Sequence, residues 1–387
     1  MTAVLAAACT SPVTGSGARP GTTPPPVTAP APPCRPAPLA ERAAQVLIAG
    51  LSGATTSGDP VVGEVIDVGV GGVFLAARNV KSADQVSRLI ADLRARSHHH
   101  LIVSTDEESG RVSSFAAVLG PSPSARRQAA ERSADEVRGL AHQVGSKLSA
   151  FGVDLDLAPV ADLDAGPYNA TIGDRSFSAD PATASRYASA QAAGFADAGV
   201  RSAVKHFPGH GRAVGDDEVG RSRVDASLAD LGAGDLVPFR DLIVAGVPVV
   251  MVNHVEYAAL DPGVPASLSP AAYRLLRNTG FHGVAITDAL GMGAVNRRWS
   301  YGEAAVMALI AGADGVLVTE GEAAREMRDS LEASVEQGRL SEDRLNQAAA
   351  RMAALGGVDP VALTCQAAEV PRLVLPPSPS PSGRLER

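Results

Sequence analysis

Short runs of apolar and β-branched residues recur along the chain, and between them apolar positions return every three to four residues. The first pattern predicts strands and the second helices. Strands are expected at residues 44–49, 72–76, 101–105, 153–159, 202–206, 247–253, 283–287 and 315–318. Helical patterns fill most of the gaps, as at 83–96, 125–151, 181–198 and 322–337. Strands alternating with longer helices argue for a parallel sheet with crossover helices. Eight such units in about 320 residues predict an α/β fold, a single (β/α)8 TIM-type barrel. A doubly wound open sheet would need a glycine-rich loop after an early strand. Val68-Gly69-Val70-Gly71-Gly72 precedes its strand instead, so a dinucleotide site is not expected.

In such a barrel the chemistry sits at the C-terminal ends of the strands. There the third predicted strand runs into Asp106-Glu107-Glu108, the fifth ends in Lys205-His206, the sixth in Asn253-His254 and the seventh in Asp288. The fourth leads through Asp162 to Gly173-Asp174-Arg175-Ser176-Phe177. Charged and bidentate groups converging from five strands suit a pyranose ring, which presents several hydroxyls at once.

Composition narrows the surroundings. With 387 residues and 45% apolar content the chain can bury one large barrel or two ordinary domains. A net charge of -8 and a pI near 5.5 offer no phosphate-binding surface, so nucleic acid is not an expected partner. No apolar run reaches the ~18–20 residues needed to cross a bilayer. Three segments are expected: 1–38, 39–357 as the barrel, and a partly disordered tail at 358–387 that includes Pro-Pro-Ser-Pro-Ser-Pro-Ser. The start, MTAVLAAAC, resembles the lipobox of a bacterial lipoprotein but lacks the basic front and length of a full signal peptide. Either the leader begins upstream of Met1, making Cys9 the lipidation candidate, or Cys9 is incidental. Thr10 to Pro38 is rich in Pro, Thr, Gly and Ser and reads as a disordered, semi-extended tether. Cys34 and Cys365 flank the barrel; in an exported protein they form a candidate disulfide, the alternative being two free thiols.

Lys205-His206-Phe207-Pro208-Gly209-His210-Gly211 and the ordered set around it carry a resemblance to a known family. The segments Asp106 to Val112, Gly173 to Phe177, Lys205 to Gly211, Met251 to Val255 and Thr287 to Leu290 occur in the order and form found in glycoside hydrolase family 3. They are most similar to its single-domain β-N-acetylhexosaminidase (NagZ-like) branch, lipoprotein type; the larger β-glucosidases of the family carry a second α/β domain, for which no residues remain here. The resemblance implies that Asp106, Arg175, Lys205 and His206 bind hydroxyls of the terminal sugar with His254 near them, and that Asp288 is the nucleophile. Similar cysteine pairs occur in lipoprotein members. No metal and no organic cofactor are implied.

One position departs from that pattern. The branch carries Asp-Ser-His in the loop after the KHFPGHG segment, the His acting as acid and base; this chain has Asp216-Asp217-Glu218. Glu218 could serve as the acid and base with Asp216 as its loop partner, its pKa raised by like charges. The loop could instead have lost its acid, or His210 could take the role. The expected function is an exo-acting retaining β-N-acetylglucosaminidase that cleaves N-acetylglucosamine from β-linked, peptidoglycan-derived fragments by double displacement. The rival is a catalytically impaired, sugar-binding envelope lipoprotein. Partners are glycans or muropeptides. The protein is expected as a monomer, exported and lipid-anchored on the outer face of the cytoplasmic membrane. His98-His99-His100 lacks a patterned carboxylate or cysteine partner and reads as a solvated cluster rather than a metal tract. Trp299 and Tyr301 are candidates for an aromatic wall or for packing against a helix, and Tyr168 and Asn169 could reach the pocket.

Overall fold

A computed structural model describes residues 34–374. Eight parallel strands close into a barrel: β1 Leu47–Gly50, β2 Gly72–Leu75, β3 Ile102–Thr105, β4 Leu155–Asp156, β5 Arg201–Phe207, β6 Val249–Val252, β7 Val284–Ala289 and β8 Gly315–Val318. Each pairs with its neighbours in chain order, and β8 closes on β1 with Leu47 opposite Val316 and Ala49 opposite Val318. Closure leaves no unpaired sheet edge.

The strands bury both faces. Inward, Ile48, Phe74, Ile102, Val249, Val284 and Ile286 fill the barrel. Met352 and Leu355 of the helix Glu342–Gly356 join that interior cluster. Outward, Leu47, Val73, Val103, Val204, Val250 and Ala285 pack into a larger layer shared with the helices. Apolar residues on consecutive positions of one strand are therefore all buried, which is why these strands read as continuous runs rather than alternating ones.

Most element ends shift by one or two residues, the strand expected at 153–159 shortens to Leu155–Asp156, and two elements differ in kind. The first strand begins at Leu47, because Leu39–Gln45 is a helix. Alanine favours helix, and β-branched residues begin only at Val46. Arg42 fixes that helix by donating to Glu342 at 2.7 Å and Asn346 at 2.6 Å. The long helical pattern at 125–151 is two helices, Ala125–Glu131 and Ala134–Phe151. Ser133 caps the second by accepting the Glu136 N–H, while the Glu136 carboxylate accepts the Ser133 N–H at 2.7 Å. The helix at Ala83–Arg96 has the expected bounds.

Past Gly357 the chain forms a short helix, Pro360–Thr364, and the Leu363 carbonyl accepts the Ala37 N–H at 2.9 Å. Cys34 and Cys365 are both disulfide-bonded. Cys9 lies outside the described residues. Among the described residues no helix is long and apolar enough to cross a membrane. His99 meets the Val70 carbonyl at 3.1 Å and His100 lies 3.6 Å from Asp154.

At the entrance to β8, fully buried Asp314 is ringed by Arg277 at 2.6 Å, Arg351 at 2.8 Å and Arg344 at 3.0 Å, and accepts the Ala285 N–H at 3.0 Å. Burial alone would raise its pKa, but the three guanidinium groups outweigh it and lower the pKa below the usual value. A depressed folded-state pKa means stability that is present above the unfolded carboxylate pKa and lost as pH falls through the folded one. Asp314→Ala, which strands three cations around an empty site, is expected to cost about 3–5 kcal/mol in urea denaturation at pH 7, and less at low pH. A loss no larger than that of a surface Asp→Ala control would contradict the assignment.

Candidate active site

The strand ends open into a cavity of about 700 Å³. Its floor is apolar, from Phe74, Leu157, Met251 and Leu317, and its walls are polar. An apolar base with a few convergent charges is the usual build of a small-molecule site.

The β5 end supplies two walls. Lys205 and His206 stand at a shift in the β5–β6 register between Val204 and Phe207, and a like shift between β7 and β8 spans Ile286 to Ala289, around Asp288. Local irregularities of this kind re-aim side chains next to active sites. The Lys205–His206 and Phe207–Pro208 peptides are cis. The bend beyond them is held by Tyr257, whose hydroxyl donates to the Gly209 carbonyl at 2.8 Å, and by Asn253, which donates to the His206 carbonyl at 3.0 Å. Gly211 has no room for a side chain: a Cβ there would stand 1.8 Å from the Leu163 carbonyl oxygen.

The buried cations are matched by carboxylates. Lys205 Nζ lies 2.5 Å from both Asp106 Oδ1 and Glu108 Oε1. Arg175 grips Glu108 through two bonds, Nε to Oε2 at 2.7 Å and Nη2 to Oε1 at 2.8 Å. Burial opposes ionisation of all three, yet the Arg175 and Lys205 charges hold the Glu108 carboxyl well below its usual range, and Glu108 and Asp106 in turn raise Lys205 and Arg175. His206 donates from Nδ1 to Asp162 Oδ2 at 2.6 Å, and its Nε2 faces Arg175 at 3.2 Å. Asp162, with no exposed surface, also accepts the backbone N–H groups of His206 and His210. Asp106, Arg175, Lys205 and His206 are thus brought together on one wall, as the sequence reading expected.

His254 stands elsewhere. It is fully buried behind the wall, paired with the Ser267 hydroxyl through Nδ1 at 2.6 Å and donating from Nε2 to the Ala289 carbonyl at 2.9 Å. Its contact is with the residue after Asp288, not with the cavity.

Asp288 lines the opposite wall, at the end of β7, and its Oδ1 accepts the Ala289 N–H at 2.8 Å. Facing it is the acidic loop. Asp216, Asp217 and Glu218 all line the cavity, but their surroundings differ. Asp216 accepts the Glu218 backbone N–H at 3.1 Å, a turn-making bond. Asp217 is buried and paired with His210 Nε2 at 2.9 Å. Glu218 is the exposed member, and its pKa is pushed up to about 7 by partial burial, then by the charges of Asp288, Asp217 and Asp216, with Arg175 opposing. The loop is tied to the segment after Asp288, because Gly293 and Ala294 donate their backbone N–H groups to the Glu218 and Asp217 carbonyls at 2.9 and 3.0 Å. Gly293 allows that approach; a Cβ on it would lie 2.5 Å from the Val219 carbonyl carbon.

The remaining aromatic candidates divide. Asn169 lines the cavity, and Tyr168 beside it is 63% exposed at the rim. Trp299 packs against the core under the Arg298 guanidinium, 4.1 Å from its ring centroid. Tyr301 begins the helix Tyr301–Ala311. Sequence reasoning gave no role to Glu108 and Asp162, nor to the His210–Asp217 pair. One signal was available: a lysine, an arginine and a histidine predicted at one mouth require counter-charges, and the acidic residues nearest in sequence to those strand ends supply them.

Comparison with known proteins agrees with this arrangement. Residues 43–355 match the glycosyl hydrolase family 3 N terminal domain. The chain is 41% identical over 268 residues to the β-hexosaminidase LpqI of Mycobacterium tuberculosis, covering 67% of this chain and 69% of that protein. It is 39% identical over 257 residues to a β-hexosaminidase of Chromobacterium violaceum, covering 64% and 71%. Among solved structures, a family 3 glycosyl hydrolase from Mycobacterium smegmatis superposes with a TM-score of 0.78 at 39% identity over 82% of this chain and 97% of that one. A family 3 β-N-acetylglucosaminidase from a Paenibacillus species gives 0.78 at 33% identity over 88% and 65%. The match runs through nearly the whole barrel and takes in every strand end that faces the cavity, so the chain belongs to glycoside hydrolase family 3.

Proposed function

We propose that this protein is an exo-acting, retaining β-N-acetylglucosaminidase in which Asp288 is the nucleophile and Glu218 the acid and base. The observation that carries the reading is that both carboxyl groups line one cavity, near enough for the Asp288 charge to act on Glu218, together with a cluster of matched charges. Relatives described as β-hexosaminidases and β-N-acetylglucosaminidases support the N-acetylglucosamine specificity.

The chemistry follows from the two environments. Asp288 attacks the anomeric carbon as the glycosidic bond breaks, and Glu218 in its protonated form gives its proton to the departing oxygen. Glu218, now ionised, takes a proton from water, which attacks the same carbon and releases the sugar and Asp288 with net retention. A carboxyl held near pKa 7 is matched to both halves of that cycle at neutral pH. Asp106, Lys205, Arg175 and His206 bind hydroxyls of the terminal ring.

The natural substrate is proposed to be β-linked, peptidoglycan-derived fragments. The protein is proposed to work as a monomer outside the cytoplasmic membrane, anchored through Cys9. Disulfide-bonded Cys34 and Cys365 support an oxidising compartment.

Two measurements test the mechanism. A 2-fluoro or 5-fluoro glycosyl fluoride should label Asp288 covalently, as read by peptide mass spectrometry; tight binding with neither label nor turnover would favour a sugar-binding protein. Because the first step needs Glu218 protonated, kcat/KM should fall as pH rises through about 7. Glu218→Gln should remove that limb and lower kcat/KM about 10²–10⁴-fold on an unactivated glycoside, with a much smaller loss on an activated aryl glycoside. Equal rates for variant and parent on both would exclude Glu218 as the acid.

A further inference from the structure

We propose that the buried Asp217–His210 pair is a positioning device for Glu218, fixing the acidic loop over the cavity so that the Glu218 carboxyl is held opposite Asp288. This inference rests on Glu218 being the acid and base.

The geometry assigns the role. Glu218 itself is exposed, and no side-chain partner within the loop restrains its carboxyl; Asp216 bonds only to its backbone N–H. Its placement must therefore come from the backbone, and the backbone is pinned immediately before it. Asp217 is 1% exposed, and its Oδ1 accepts from His210 at 2.9 Å. His210 is also buried, and its own backbone N–H is bound to Asp162 Oδ1 at 2.7 Å, the carboxylate that orients His206. One continuous set of bonds therefore runs from the sugar-binding histidine through Asp162 and His210 to the residue before Glu218. On its far side the loop is held by the Gly293 and Ala294 N–H groups. The second Asp217 oxygen, Oδ2, is buried without a hydrogen-bond partner. A carboxylate keeps an unmatched oxygen buried only where a full opposite charge compensates it.

That charge is His210. Burial disfavours the imidazolium, but the Asp217 hydrogen bond and charge, with Asp162, outweigh it and hold His210 up at about 9, Arg175 opposing. Burial likewise works against ionised Asp217, and His210, with lesser help from His254 and His206, holds it at about 2. The pair is therefore ionised across the working range, and a negative charge always adjoins Glu218. The other groups facing Glu218 are Asp288 from β7, Asp216 from its own loop and Arg175 from the loop after β4.

The test is a double-mutant cycle in the full chain, with pH profiles and two glycosides of unequal leaving group. Asp217→Asn keeps an acceptor for His210 and removes the charge; it should shift the alkaline limb of kcat/KM to lower pH with only a small loss at its optimum. Asp217→Ser removes the anchor as well, and should lose up to roughly 10²-fold on the poor leaving group, the scale of about an ångström of misplacement. In a Glu218→Gln background Asp217→Ser should add little, because its effect passes through Glu218. If Asp217→Ser lowers the Glu218→Gln enzyme by the same factor as the parent, or if the limb stays in place in both Asp217 variants, the positioning role is wrong while the acid assignment stands. If Glu218→Gln matches the parent, the acid assignment fails, and the pair's role with it. Thermal melting identifies a variant that has lost its fold, in which case the isosteric Asp217→Asn decides.

Discussion

Burying charge at the mouth of a barrel is costly unless every ion meets its opposite, and this requirement shapes the site more than any other. Lys205 and Arg175 share Glu108, Lys205 also holds Asp106, and Asp162 serves His206 and His210. None of these side chains is free to swing. A sugar entering the cavity meets donors and acceptors already oriented by one another, so little ordering is required of the protein at binding.

Away from that neutralised wall, the cavity lining carries surplus negative charge. Asp288, Glu218 and Asp216 line one region of the cavity, with buried Asp217 answered by His210. Partial burial, then the charges of Asp288, Asp217 and Asp216, favour a proton on Glu218, whose oxygens accept no hydrogen bond among the described residues. In the proposed mechanism this raised carboxyl supplies the proton that an imidazole, near neutral unaided, would otherwise supply. In that proposed mechanism the positive charge developing on the sugar would experience the same surplus as stabilisation.

Much of this was legible before the fold was known, for a definite reason. In a parallel barrel every strand is buried on both faces, so strands announce themselves as unbroken apolar runs, and the first polar residue after each run falls at the functional end. Asp106, Lys205 and Asp288 could be found by that rule alone. The rule fails where polarity continues past the strand. Glu108 and Asp162 lie beyond the ends of β3 and β4, and only the folded loop shows which carboxylate turns toward a cation. It misjudged His254 for a related reason: a histidine at a strand end points either into the mouth or behind it, and the Ala289 carbonyl draws this one behind. At the first strand, Ala44 was read as strand because burial and strand are confounded in alanine, which suits a packed helix better. The pairing of Asp217 was hidden because its partner, His210, was weighed only as an alternative acid and not as a counter-charge for the loop.

The backbone bonds from Gly293 and Ala294 to the acidic loop have a mechanical meaning. They fasten the segment that follows Asp288 to the segment that carries Glu218, so a displacement of either one is resisted by the other.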